Sequence, residues 1–118
     1  KRTPVYINGD GEQTRDFTFV ENAVQVNIKG MLTEKEEAFG KAYNVAVGES
    51  YSVNYLYNAC RQQLGSDWEA IYREPRAGDI RDSLADISQA KRLLGYQPTR
   101  KFEEGLTETI QYFKEIYS

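Results

Sequence analysis

Tyr6-Ile7-Asn8-Gly9-Asp10-Gly11-Glu12-Gln13-Thr14-Arg15-Asp16-Phe17 carries the densest local signals in the chain. Val5-Tyr6-Ile7 before the turn is short, apolar and β-prone. Asn8-Gly9 and Asp10-Gly11 are two turn signals within four residues. Phe17-Thr18-Phe19-Val20 predicts a second strand. The expected unit is a hairpin with a loop longer than two residues. It delivers Arg15, a permanent cation, between a glycine-rich turn and an aromatic.

Downstream, residues 21–32 predict a helix, with Ala23, Val24, Ile28 and Met31 on one apolar face. The acidic run Thr33 to Glu37 reads as a helix end and solvated loop. Tyr43-Asn44-Val45-Ala46-Val47 predicts a strand stopped by Gly48. Ser52 can cap a helix running to Leu64 before Gly65, with Val53, Leu56, Tyr57, Cys60 and Leu64 on one side. Trp68 to Arg73 predicts a strand ended by Pro75. Asp86 and Gln89 have capping-box spacing, and the short helix after them should end at Gly95, with Pro98 beyond. A last helix over residues 102–117 carries Leu106, Thr109, Ile110, Phe113 and Tyr117 as its inner stripe. A few short strands with about four helices place the chain in the mixed α/β (α+β) class.

With 118 residues, the chain has the length of one domain, and 40% apolar against 28% charged residues is a globular balance. Fifteen Lys and Arg face 18 Asp and Glu, a net charge of −3. That balance excludes a bulk basic field for nucleic acid but leaves a local cluster possible. The single cysteine, Cys60, and the absence of histidine exclude an internal disulfide, a zinc cluster and Ser-His or Cys-His dyads. Cys60 reads as core. No apolar run approaches the roughly 18 residues of a membrane span. The lone cysteine and the absence of an Asn-X-Ser/Thr acceptor site predict a reducing, cytoplasmic setting.

Catalytic motifs fail one by one. Thr14 stands where G-x-G-x-x-G needs its third glycine. A calcium loop starting at Asp10 would need glycine where Arg15 stands. Tyr57, Tyr72 and Tyr96 are each followed four residues on by Arg rather than Lys. An arginine stays protonated near neutrality and cannot replace a tunable lysine. What remains is arginine among aromatics: Arg15, and Arg73, Arg76 and Arg81 in Tyr72-Arg73-Glu74-Pro75-Arg76-Ala77-Gly78-Asp79-Ile80-Arg81-Asp82-Ser83. Two guanidiniums from distant segments can converge on a diphosphate, each as a bidentate fork, and Asp79 can accept from ribose hydroxyls. By spacing alone, each arginine beside an aspartate reads first as a surface ion pair of little worth. Asp79 after Gly78 is more often a turn residue, and Tyr6 more often a half-buried strand aromatic than a base-stacking platform.

The run from Tyr6 to Phe17, Tyr43-Asn44-Val45 with Gly48, Arg76-Ala77-Gly78-Asp79-Ile80-Arg81-Asp82-Ser83-Leu84-Ala85-Asp86, and Leu94-Gly95-Tyr96-Gln97-Pro98 followed by Phe102 and Gly105-Leu106 occur in this order. Together they resemble the C-terminal half of extended short-chain dehydrogenases/reductases, the NAD-dependent sugar epimerase/dehydratase family. Within it, the chain looks most like the UDP-N-acetylglucosamine/galactosamine 4-epimerases. The resemblance covers nearly the whole chain. It implies a single substrate-binding domain over residues 1–118, Arg15 and Arg76 on the UDP diphosphate, Asp79 on the uridine ribose, and Tyr6 near uracil. Phe17 and Val53 would line the nucleotide pocket. Phe17 departs from members with tyrosine there and lacks the hydroxyl that could reach the ribose. Ser83 would border the sugar, where a small residue favours an N-acetylated hexose such as that of UDP-GlcNAc or UDP-GalNAc.

Family members hold NAD on a glycine-rich turn and use a catalytic Tyr-x-x-x-Lys, both in their N-terminal Rossmann half. Neither motif occurs here. The resemblance therefore implies a portion of a homodimeric enzyme, with no base and no cofactor site of its own and catalytically dead alone. The opening Lys1-Arg2-Thr3-Pro4 without an initiator Met fits an excised piece. Two other readings stay open: the same domain of a nucleotide-sugar dehydratase or decarboxylase, and a free-standing nucleotide-sugar binding module.

Overall fold

The computed structural model describes residues 4–117; Lys1, Arg2 and Thr3, at which the chain opens, lie outside the described residues. These residues form a small mixed α/β arrangement of four α-helices and two two-stranded sheets. They divide into two compact units: residues 4–15 with 50–83, and residues 16–49 with 84–117.

The first unit holds β1 (Tyr6–Asn8), β2 (Thr14–Arg15), β3 (Tyr51–Ser52), α1 (Val53–Leu64) and β4 (Ile71–Arg73). The expected hairpin does not form. β1 pairs with β4, in parallel, with Tyr6 opposite Ile71 and Asn8 opposite Arg73. A parallel pair needs a long crossover, and α1 lies within it. β2 pairs antiparallel with β3, Thr14 opposite Ser52. The second strand is thus Thr14–Arg15, not Phe17–Val20, and the sixth-residue strand finds its partner far along the chain. The Trp68–Arg73 strand shortens to Ile71–Arg73.

Helix α1 obeys its local signals. The Ser52 hydroxyl accepts from the Tyr55 N–H at 3.0 Å, and Gly65 closes the helix in the left-handed region at φ 64°. Val53, Leu56, Tyr57 and Cys60 are half-buried and Leu64 is exposed. Burial pushes the free Cys60 thiol up, away from the thiolate form that reacts.

The second unit holds α2 (Val20–Leu32), a short 3-10 turn (Glu36–Ala38), α3 (Ser88–Leu94) and α4 (Phe102–Tyr117). Its core joins Val26, Ala46, Ile87, Ala90 and Tyr96, with Tyr43, Val45, Ala85 and Leu94 packed against it. The buried face of α2 is Asn22 and Val26. Val24, Ile28 and Met31 of the expected face are exposed, and the helix instead lays the Asn22 amide on the segment that follows α3. Asn22 Oδ1 accepts from the N–H groups of Thr99 and Arg100 at 2.9 and 3.2 Å, and its Nδ2 donates to the Arg100 carbonyl at 2.8 Å.

No strand forms over residues 43–47. Ala46 and Val47 are buried, but the Val47 and Gly48 N–H groups donate to the two carboxylate oxygens of Asp16, at 3.0 and 2.8 Å. A side chain takes the place of a ladder partner. The buried Tyr96 hydroxyl donates to the Ala46 carbonyl at 2.7 Å, and burial, with the nearby Asp16 charge, pushes its phenol up. The capping box also fails: Asp86 accepts from the Ser88 N–H at 2.9 Å in a two-residue turn, and α3 starts at Ser88. Gly95 closes α3 as expected, at φ 67°. Helix α4 buries Phe102 and Gly105 in its first turn. Leu106 and Ile110 of its expected stripe are half-buried, while Phe113 and Tyr117 are exposed.

Candidate functional site

Within the first unit, three of the residues singled out by the sequence converge. The Arg15 guanidinium, at the end of β2, donates through Nη2 to Asp79 Oδ1 at 2.7 Å. It also donates through Nη1 to the Thr14 carbonyl at 2.6 Å and to the Arg81 carbonyl at 3.4 Å. Arg76 approaches the same Asp79 oxygen at 3.7 Å. One carboxylate is thus flanked by two guanidiniums from segments more than sixty residues apart.

The two arginines are held differently. Arg15 is 28% exposed and Asp79 20%, and both are fixed by short contacts. Arg76 is 71% exposed, with one long ion pair. Arg15 is therefore a pre-oriented cation. Arg76 is an open fork able to turn both of its N–H pairs toward an anion.

These residues sit on a scaffold of backbone bonds. The Thr14 N–H donates to the Arg81 carbonyl at 2.9 Å, and the Ser83 N–H to the Thr14 carbonyl at 3.1 Å. Thr14 Oγ1 adds a bond to Asp82 at 2.9 Å. The loop bearing Arg76 and Asp79 is thereby laced to the strand bearing Arg15. On the other side, the Val53 N–H donates to the Gln13 carbonyl at 3.0 Å, which ties the start of α1 to the same turn.

Beside this cluster opens a cleft of about 490 Å³, with Asn8, Asp10, Tyr72, Arg73, Arg76 and Arg81 in its wall. Arg81 donates to Asp10 at 2.8 Å. That bond, together with one from the Glu12 N–H, holds the Asp10 carboxyl below the usual range. Arg73 donates through Nε to Asn8 Oδ1 at 2.8 Å, and its guanidinium lies over the Tyr6 ring at 4.6 Å.

Sequence reasoning named Arg15, Arg76 and Asp79, and the structure gathers them. Tyr6 lies on β1 beneath Arg73. Val53 begins α1, and Ser83 is half-buried at the end of the laced loop. Phe17 belongs to the second unit, where its ring packs on Phe102 with centroids 5.7 Å apart. Asn54 was missed. Its Nδ2 donates to the Asp10 carbonyl at 3.0 Å and to Glu12 at 2.7 Å, and its Oδ1 accepts from the Tyr72 hydroxyl at 2.6 Å. No local signal marks it, since every partner is distant in sequence. Arg73 and Arg81 lay inside the arginine run without a role assigned to either.

Gly11 shows how tightly this turn is set. Its φ is 76°, and an added Cβ would fall on the Asn54 carboxamide. Gly11→Ala is expected to lower unfolding free energy by about 2–4 kcal/mol, from left-handed strain plus steric overlap. Gly65→Ala, at φ 64° with open space around it, should lose only about 1 kcal/mol. Urea unfolding of both variants checks the contrast; equal losses would show that Asn54 simply moves aside.

A family profile described as GDP-mannose 4,6 dehydratase matches residues 1–109. The UDP-glucose 4-epimerase of Mycolicibacterium smegmatis is 32% identical over 108 residues, covering 92% of this chain and 34% of that protein. The crystal structure of a UDP-glucose 4-epimerase from Thermotoga maritima with UDP-glucose superposes with a TM-score of 0.90 at 35% identity, over 98% of this chain and 36% of that one. A UDP-N-acetylglucosamine 4-epimerase from Methanobrevibacter ruminantium, in complex with UDP-N-acetylmuramic acid, gives 0.86 at 37% identity, over 96% and 35%. The chain thus spans about a third of the length of the relatives it matches. Profile, sequence identity and backbone agree over nearly every residue described, and the chain belongs to the NAD-dependent epimerase/dehydratase family of extended short-chain dehydrogenases/reductases.

Proposed function

We propose that residues 1–118 are the C-terminal substrate-binding portion of an NAD-dependent UDP-sugar 4-epimerase acting on an N-acetylhexosamine, and that they grip the UDP moiety. The observation that carries this reading is the Arg15–Asp79–Arg76 cluster. Its two guanidiniums suit the two phosphates, and a carboxylate such as Asp79 suits a ribose hydroxyl as acceptor. Tyr6 and Val53 flank the same turn. The sequence has no G-x-G-x-x-G and no Tyr-x-x-x-Lys. In this reading NAD, which supplies the hydride chemistry, and the catalytic base belong to a Rossmann portion outside these residues, in a homodimeric cytoplasmic enzyme. This chain's residues bind and orient.

Ser83 supports the sugar assignment. Its backbone is held on both sides, the N–H by the Thr14 carbonyl and the C=O by the Ser50 hydroxyl at 3.2 Å. A larger side chain there would project from a fixed backbone. In the full-length enzyme, Ser83→Tyr should reduce turnover of UDP-GlcNAc about tenfold or more relative to UDP-glucose. Equal loss on both substrates would refute the assignment.

A second reading, a sibling dehydratase, is favoured by the dehydratase description of the matching profile. Product analysis of the full-length protein with UDP-GlcNAc separates the two. Interconversion with UDP-GalNAc supports the epimerase, whereas release of water with a keto-deoxy product supports the sibling.

A further inference from the structure

We infer that Arg73, seated over the Tyr6 ring, is the platform on which the nucleobase of the bound nucleotide stacks; this rests on the nucleotide-binding reading above. The parallel register places Arg73 of β4 directly opposite Asn8 of β1. From there Arg73 Nε donates to Asn8 Oδ1 at 2.8 Å. That bond leaves the four Nη hydrogens for other acceptors. The Tyr6 ring lies beneath it, 4.6 Å from the guanidinium carbon, within the range of a cation–π contact. Tyr6 takes no part in the wall of the adjoining cleft, whereas Arg73 does.

The consequence is an exchange of roles. Arg73 lies over the Tyr6 ring, and of the two it is Arg73 that lines the cleft. A guanidinium plane accepts a base face as an aromatic ring does. Arg76 and Asp79 share the same cleft wall, three and six residues on. A base on Arg73 therefore leaves its ribose and phosphates within reach of the cluster that would bind them. Arg73 is tied to Asn8 and Tyr6 rather than to a carboxylate, unlike Arg15 and Arg81, which hold Asp79 and Asp10. An arginine whose fixed partners are an amide and a ring is a shaped surface, not half of an ion pair.

The test uses the full-length protein and two probes, UDP and inorganic pyrophosphate, the second carrying the charge without the base. Arg73→Ala should weaken UDP about tenfold and leave pyrophosphate unchanged. Arg73→Lys, which keeps the charge and loses the plane, should show most of the same loss. Tyr6→Leu should weaken UDP by a smaller factor, and its effect should vanish in the Arg73→Ala background, since the ring acts through the guanidinium. Unchanged UDP affinity in Arg73→Ala overturns the proposal. So does a parallel loss of pyrophosphate affinity rescued by lysine, which would make Arg73 a phosphate ligand. If the unaltered protein binds neither UDP nor pyrophosphate, the nucleotide-binding reading falls, and the platform with it.

Discussion

Replacing Asn22 with alanine should lower the unfolding free energy by about 3 kcal/mol, the largest stability loss expected of any single polar side chain here. Asn22 is 0% exposed. It accepts from the N–H groups of Thr99 and Arg100 and donates to the Arg100 carbonyl. Alanine would leave an acceptor and two donors to find water in a packed site, and each buried group left unmade costs about 1–3 kcal/mol. Thr99 is exposed, so part of the penalty is relieved by solvent, which holds the total near the low end of the sum. Asn22→Asp should be worse, because it loses the donor and buries a charge. Asn27→Ala is the control: the Asn27 amide donates only to the Ala23 carbonyl of its own helix, at 2.8 Å, on an exposed surface, and its loss should fall within about 0.5 kcal/mol of zero. Urea midpoints measured on all three variants decide the matter. An Asn22→Ala midpoint equal to that of Asn27→Ala would mean that residues 99–100 do not depend on the amide.

Asn22 also marks where the sequence stops being readable. Helical periodicity predicts this helix over residues 21–32 but cannot choose its buried face when a polar residue occupies it. Val24, Ile28 and Met31 offer a good apolar stripe, yet the structure turns it outward and places the Asn22 amide on residues 99–100 instead. The elements read correctly are those with local, chemically specific ends. Ser52 and Gly65 bound α1, Gly95 ends α3, and α4 spans residues 102–117 as expected. Those misread depend on remote partners. The strand at Tyr6–Asn8 was visible, but its mate lies sixty-five residues on, and a turn signal cannot reveal that. Residues 43–47 have the alternation of a strand, but their backbone is satisfied by Asp16.

The site divides along the same line. Arg15, Arg76 and Asp79 were legible as residue types, since few other groups suit a diphosphate, and their convergence then followed from the resemblance. Tyr6 was named, but its cover by Arg73 was not, because a cation–π contact between two strands exists only once their parallel register is known. Asn54 left no trace in the sequence for the same reason. It works through Asp10, Glu12 and Tyr72, which topology alone brings together.

Arg15→Ala should weaken UDP binding by the full-length protein more than Arg76→Ala does, although Arg76 is the more accessible of the two. In the proposed site each substitution would remove charge-assisted hydrogen bonds to phosphate, a loss of about 10- to 100-fold in affinity. The difference lies in Asp79. With Arg15 present, the Asp79 carboxylate is neutralised at 2.7 Å. Without it, the remaining partner is Arg76 at 3.7 Å, and a partly shielded negative charge stands beside the incoming diphosphate. Arg15→Ala therefore removes a donor and uncovers a repulsion, whereas Arg76→Ala only removes a donor. The two should also separate with salt. Arg76 is mostly solvated, so its contribution should shrink as ionic strength rises, while that of the shielded Arg15–Asp79 pair should persist. Adding Asp79→Asn to the Arg15→Ala background should recover part of the affinity, because the uncovered charge is gone. Calorimetric titration with UDP at two salt concentrations reads all three effects. Unchanged affinity in either single variant would return that arginine to the class of surface ion pairs. Equal losses with no recovery from Asp79→Asn would mean that Asp79 plays no electrostatic part in admitting the diphosphate.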